Sequence, residues 1–317
     1  MTNLSFNLFR KSALIVAIAV STLSSSCKKD KTNPTQEKTI SGIVMSSNNF
    51  SLLKAALAQA GLTDVLAGKG PFTVFAPNND AFVAAGLDTE AKIKAVPVET
   101  LKKILLYHVL GQRVPSAEIA MASNTSVKTA ADLNVYVTKN ASGVFINGAT
   151  VIQADLAASN GVVHVINAVL MPSGGNIVEV AQANSNFSFL VAAVLRASQG
   201  STNVAQVLSG AGPLTVFAPT NQAFINAGFA NIAAVQAADP AVLTSILTYH
   251  VIAGRIFSSD LTEGAKPATV NGGTVSITLT GGAKVKGNKN TTSSMISPAN
   301  IITTNGVIHV VDQVLLP

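Results

Sequence analysis

Four histidines fall in two matched pairs, His108 with His164 and His250 with His309. Paired imidazoles are a common start for a metal site or an acid–base centre. Zinc asks for three or four nitrogen, sulfur or oxygen ligands, and no cysteine or repeated carboxylate lies at ligand spacing from either pair. Nucleophile elbows of the GxSxG kind and phosphate-cradling glycine loops are absent from the sequence. A histidine-based, metal-dependent enzyme therefore ranks last among the readings, and no catalytic residue, metal or cofactor is assigned. The spacing offers a plainer role. Leu101, Ile104 and Leu105 form an apolar helical stripe that His108 extends by one step of three, and Leu243, Ile246, Leu247 and His250 repeat it. Such a histidine, beside Tyr107 or Tyr249, reads as a buried, hydrogen-bonded residue joining the helix to the last strand. His164 and His309 sit among valines and isoleucines in NGVVHVINAVLMP and NGVIHVVDQVLLP.

The one cysteine, Cys27, has no partner for an internal disulfide. It follows Arg10, Lys11, an apolar run from Ala13 to Val20 and small residues to Ser26. Residues 1–26 read as an export signal, and the apolar run is far short of the ~20 residues that cross a bilayer. Leu23, Ser24, Ser25, Ser26 and Cys27 resemble the lipobox of bacterial lipoproteins, with the leucine four places before the cysteine instead of three. The resemblance implies lipidation at Cys27, which supplies the two or more acyl chains that stable anchoring needs. Residues 27–39, with KKDKTNPTQEK at their centre, read as a flexible tether. Lysine plus arginine number 21 against 15 acidic residues, and removing Arg10 and Lys11 leaves 19 against 15, a surplus of four. That surplus is no argument for nucleic acid binding.

The elements that must position these side chains are written twice. FTVFAPNNDAF (residues 72–82) returns as LTVFAPTNQAF (214–224), LLYHVL (105–110) as LTYHVI (247–252), and the closing motif at 160–172 as that at 305–317. Each repeat opens on a helix, with Phe50, Leu53, Leu57 and Ala60 on one face behind Asn48 and Asn49 as caps; its twin carries Phe187, Leu190, Val194 and Ala197. A short helix over 63–66 ends at Gly68, and its region is five residues longer in the second repeat. FTVFA is apolar on both faces, as a strand buried on both sides requires. Pro77 stops it, and Asn78 or Thr220 is placed to cap the next helix, with Asp80 in its first turn. Pro97 and Pro240 mark the start of the helix that ends in the Tyr-His pair. Strands over 133–138, 144–146 and 149–152 follow, the last two joined by Asn147-Gly148, a strong hairpin signal. The second repeat is expected to follow the same plan through Val275 to Thr280 and the Gly281-Gly282 turn. Asn160-Gly161 and Asn305-Gly306 give a tight turn before the final strand, and Arg113 corresponds to Arg255. Only Ser173, Gly174 and Gly175 separate the repeats, so limited freedom between them is expected.

TVFAPxNxAF, the Tyr-His pair and the closing NGVxHVxxxVLxP, in order and twice, resemble the fasciclin domain over residues 40–317. The resemblance implies an α+β fold: two tandem fasciclin-like domains at 40–172 and 176–317, each a β-strand wedge or sandwich with helices packed on one side. It implies an extracellular or surface-attached adhesion module, and it lends Tyr107, His108, Tyr249 and His250 a link to adhesion. Asn300 stands where Asp155 stands, so a charge-dependent contact there is not shared by both repeats.

Together these residues point to a lipid-anchored, extracytoplasmic, non-catalytic adhesion or binding module at the outer membrane of a Gram-negative bacterium, facing the cell surface or the periplasm. The expected partner is an extracellular protein or a polysaccharide, with the membrane held through the N-terminal lipid. A glycan-binding accessory lipoprotein for polysaccharide capture is the alternative. The chain has no Trp for sugar stacking, and Tyr107, Tyr136 and Tyr249 are its tyrosines.

Overall fold

The computed structural model describes residues 37–317. The export signal, Cys27 and all of the tether before Glu37 lie outside the described residues. Among those described, no helix is long and apolar enough to cross a membrane.

The first repeat begins with three helices, α1 (Ile40–Ser46), α2 (Ser51–Gln59) and α3 (Thr63–Ala67). Phe50, Leu53, Leu57 and Ala60 turn inward on one face of α2. The cap ahead of them is Ser47, whose hydroxyl accepts the N–H of Asn49. Asn48 and Asn49, expected to cap, lie inside the 3-10 turn that leads into the helix. Strand β1 (Phe72–Pro77) is buried from Thr73 onward. Asn78 caps α4 (Asn79–Ala84) by accepting the N–H of Ala81 at 2.9 Å. After α5 (Glu90–Ala95), α6 (Val98–Tyr107) starts one residue past Pro97, which occupies the capping position and not the first helical one.

The rest of the repeat is sheet: β2 (Val109–Leu110), β3 (Ala122–Lys128), β4 (Asn134–Asn140), β5 (Gly143–Ile146), β6 (Ala149–Ala158) and β7 (Gly161–Ile166). Seven strands run in the order β2-β1-β7-β6-β5-β4-β3. Strand β1 pairs parallel with β7, Thr73 opposite Val162 and Phe75 opposite His164. The β5–β6 hairpin closes on Asn147 (φ 50°) and Gly148 (φ 80°), the backbone a two-residue turn of this hand demands. Helices cover one face of β1 and β7 with Val74, Ala76, Val163 and Val165 between. Phe75, Tyr107, Val135, Val137 and Ile166 fill the other side.

The second repeat builds α7 (Ile177–Gln182), α8 (Ser188–Ala197), α9 (Val204–Ser209), β8 (Leu214–Pro219), α10 (Asn221–Asn226), α11 (Ile232–Ala237) and α12 (Pro240–Tyr249) on the same plan. Here the proline does open the helix, behind Asp239, which accepts the N–H of Ala241. The sheet departs from expectation. Strands β9 (Val251–Ala253), β13 (Ile301–Thr303), β14 (Gly306–Val311) and β8 make a four-stranded sheet, while β10 (Ser276–Thr278), β11 (Lys284–Lys286) and β12 (Ser294–Met295) form a separate one. The expected strand over 275–280 is cut to three residues, and the segment matching β3 carries Gly264 and Pro267 in place of strand formers. Loops therefore replace the ladder that joins the two parts in the first repeat.

Residues 37–317 form one compact unit. Along the seam Asn124 donates to the carbonyl of Arg255 at 2.8 Å and Thr138 to the carboxylate of Asp260 at 3.1 Å. The Arg255 guanidinium lies 3.9 Å above the Tyr136 ring, and Phe257 packs beside the same tyrosine.

Candidate functional site

The four imidazoles are almost fully buried, with exposures of 2% or less. His108 caps the C-terminus of α6: its Nδ1 donates to the Ile104 carbonyl at 2.8 Å, and its Nε2 accepts the N–H of Leu170 at 2.9 Å. His250 repeats the pattern with Ile246 and Leu315, each at 2.8 Å. His164 and His309 use the opposite tautomer. Their Nδ1 atoms accept the N–H of Asp155 and Asn300, and their Nε2 atoms donate to the carbonyls of Val114 and Ile256. Each ring thus ties two backbone segments together as a neutral group. Burial pushes His108 and His250 down to about 4, against the pull of their helix carbonyls, and lowers His309 as well.

An imidazole whose two nitrogens are both engaged has no lone pair to offer a metal without breaking a buried hydrogen bond. Among the described residues, no group of three or more His, Cys, Asp or Glu side chains is placed to hold an ion.

Tyr107 and Tyr249 are equally enclosed, at 1% and 0% exposure. The Tyr107 hydroxyl donates to the carbonyl of Asn134 at 2.8 Å and accepts from Asn147 at 3.0 Å, and burial pushes its pKa up to about 12. Tyr249 donates to the Thr274 carbonyl and accepts the N–H of Asn288. The Tyr-His pair does not reach solvent in either repeat, so any bearing on adhesion has to run through the fold.

The turn asparagines act as three-way clasps. Asn160 accepts the N–H of Ile40 and donates to the carbonyls of Leu66 and Gly68; Asn305 does the same with Ile177, Leu208 and Gly210. Each clasp joins the first helix, the third helix and the start of the last strand. At Gly161 a Cβ would sit 2.0 Å from the carbonyl oxygen of Phe72, and at Gly306 2.0 Å from that of Leu214, so only glycine lets the parallel strands meet. Asp155 and Asn300 share a left-handed backbone, φ 60° and 63°, and both hold the N–H and hydroxyl of a serine, Ser116 or Ser258. Those bonds keep the Asp155 carboxyl below its usual range. The position is conserved in geometry between the repeats and not in charge.

With these side chains turned inward, a groove of about 800 Å³ between the repeats is left open on the surface. Asn147, Asn167, Asn184 and Asn300 line it with Val169, Met171 and Ile301. Sequence reasoning missed it, because its walls come from four separate stretches of chain.

The fasciclin domain model matches residues 48–172 and again residues 185–317. Transforming growth factor-beta-induced protein ig-h3 of Sus scrofa is 28% identical over 252 residues, which are 79% of this chain and 35% of that protein. Human periostin is 29% identical over 265 residues, 81% of this chain and 29% of its own length. The chain thus spans about a third of the length of these two relatives. Protein sll1483 of Synechocystis is 40% identical over 135 residues, 42% of this chain and 73% of that protein. The FAS1 domain pair of the insect cell adhesion molecule fasciclin I covers 84% of the chain and 96% of its own at 20% identity, with a TM-score of 0.41. Two family matches that fall where the chain repeats itself show that it belongs to the fasciclin domain family, whose domains imply a non-catalytic adhesion or binding module.

Proposed function

We propose that this chain is an extracytoplasmic adhesion or binding module, held to a membrane by lipid on Cys27, that presents the inter-repeat groove and its rim to an extracellular protein. The observation that carries this reading is the inward commitment of all four imidazoles, each with both nitrogens bonded to backbone. What is left for recognition is the outer surface, and there the groove combines apolar and amide groups as binding sites do. Met171, 43% exposed, gives it an adaptable apolar contact. Anchoring rests on the sequence around Cys27. Cys27→Ala is expected to release the folded chain from the membrane fraction; unchanged partitioning overturns the lipid anchor.

Polysaccharide capture is a second reading, favoured by the Nδ2 groups of Asn167 and Asn184. Both residues line the groove, and their side-chain hydrogen bonds among the described residues run only through Oδ1. A glycan array and a panel of immobilised matrix proteins, probed with wild type and with Met171→Glu, separate the two. Loss of protein binding by the variant supports the first reading. Glycan binding with no protein binding replaces it by the second.

A further inference from the structure

A void of about 70 Å³ lies in the second repeat between α7, α8, α9 and strands β8 and β14. Matching the repeats position by position accounts for it. Val44 and Leu57 pack the core of the first repeat, and Ala181 and Val194, which line the void, stand in their places in the second. Three side-chain carbons are lost, and Ile308 in place of Val163 returns one. Close-packed interiors do not leave such space without a cost in stability.

A second difference lies at the mouth. Val178, Val191 and Leu195 border the opening where the first repeat has Ser41, Lys54 and Ala58. Leu195 is 55% exposed. The interior has lost bulk and the rim has gained apolar surface, two changes that packing alone does not require of each other.

We propose that this void and its rim form a binding site for the end of a linear hydrocarbon chain of the fatty acid type. The lining is aliphatic apart from Phe217, His250 and Gln182 at the rim, and both His250 nitrogens are already bonded, so the interior offers a ligand no polar partner. Among the lining residues, Gln182, exposed at the rim, is the one left to meet a polar head group. An apolar void of ~150 Å³ holds benzene. One of less than half that size excludes a ring and admits a narrow chain end, with the remainder lying along Val178, Val191 and Leu195.

The test is calorimetric titration of dodecanoate, below its micelle concentration, into the full chain carrying Cys27→Ala, so that no acyl group of its own competes. Saturable binding of one molecule per chain is expected. Ala181→Val with Val194→Leu restores the bulk of the first repeat and is expected to raise Kd at least tenfold while the melting temperature holds or rises. Val191→Lys leaves the interior intact and is expected to raise Kd severalfold. Absence of saturable binding to the unfilled chain, or binding indifferent to filling, overturns the proposal and leaves the void a packing defect.

Discussion

The Nε2 atom of His250 accepts the backbone N–H of Leu315 at 2.8 Å, and so fastens the end of the Tyr-His helix to the last residues of the chain. The same ring donates from Nδ1 to Ile246, so it works only while neutral. Unfolded histidine titrates near its ordinary pKa of 6.5 and the folded one near 4. Between those values the unfolded chain binds more protons, so the stability this residue confers is complete above 6.5 and is lost as pH falls towards 4. The slope is about 1.4 kcal/mol per pH unit. His108 behaves alike in the first repeat. Urea unfolding between pH 7.5 and 4 checks this. Wild type should lose roughly 3 kcal/mol more per repeat than His108→Gln or His250→Gln across the window; parallel profiles refute it.

Asn305 is 7% exposed and holds Ile177, Leu208 and Gly210 at 3.0, 2.9 and 2.7 Å. Asn305→Ala leaves one N–H and two carbonyls without a partner and is expected to cost about 2–4 kcal/mol. Asn160→Ala should cost less, because water reaches the more open first clasp. Asn305→Asp keeps the bond to Ile177 but points a carboxylate at two carbonyls, so it should be no better than alanine. Equal destabilisation by Asn160→Ala and Asn305→Ala in denaturant melts would contradict the burial argument.

The histidine stripes, the buried β1 strand, the Asn78 cap and the Asn-Gly hairpin were all legible in the sequence, because each follows from spacing or from one residue's local chemistry. Other features depend on what is brought near. Arg113 and Arg255 look equivalent on paper, yet only Arg255 meets a tyrosine from the other repeat. The splitting of the second sheet could not be read from VSITLT, which has strand propensity; the loops that interrupt it are decided elsewhere. The void was readable in principle, by comparing Val44 with Ala181 and Leu57 with Val194, but a periodicity reading treats all of these as equally apolar.

Arg255 over Tyr136 is one of the contacts that couple the repeats, with Asn124 and Asp260 beside it. A cation–π pair of this kind contributes about 0.5–2 kcal/mol. Tyr136→Ala should leave both repeats folded and loosen the seam, read as faster cleavage at the 173–175 joint and a larger radius of gyration in solution scattering. Arg255→Lys keeps the charge but loses the flat face that lies on the ring, and should fall between. Scattering curves identical for all three chains would show that the seam is held elsewhere.

Tyr107→Phe tests how the Tyr-His pair could matter to adhesion at all. The hydroxyl links α6 to Asn134 at the start of β4 and to Asn147 in the hairpin, and Asn147 in turn accepts the N–H of Tyr136 at 2.8 Å and lines the groove. Removing one oxygen leaves the Asn134 carbonyl and the buried Asn147 amide unmet, for an expected loss of about 1–3 kcal/mol. If the tyrosine acts only through this scaffold, binding to a matrix protein well below the melting temperature should fall no further than the folded fraction falls. If the hydroxyl itself touched the ligand, affinity would fall further than the folded fraction does. The 1% exposure of Tyr107 argues for the first outcome. Melting curves and surface binding measured on the same preparation decide between them.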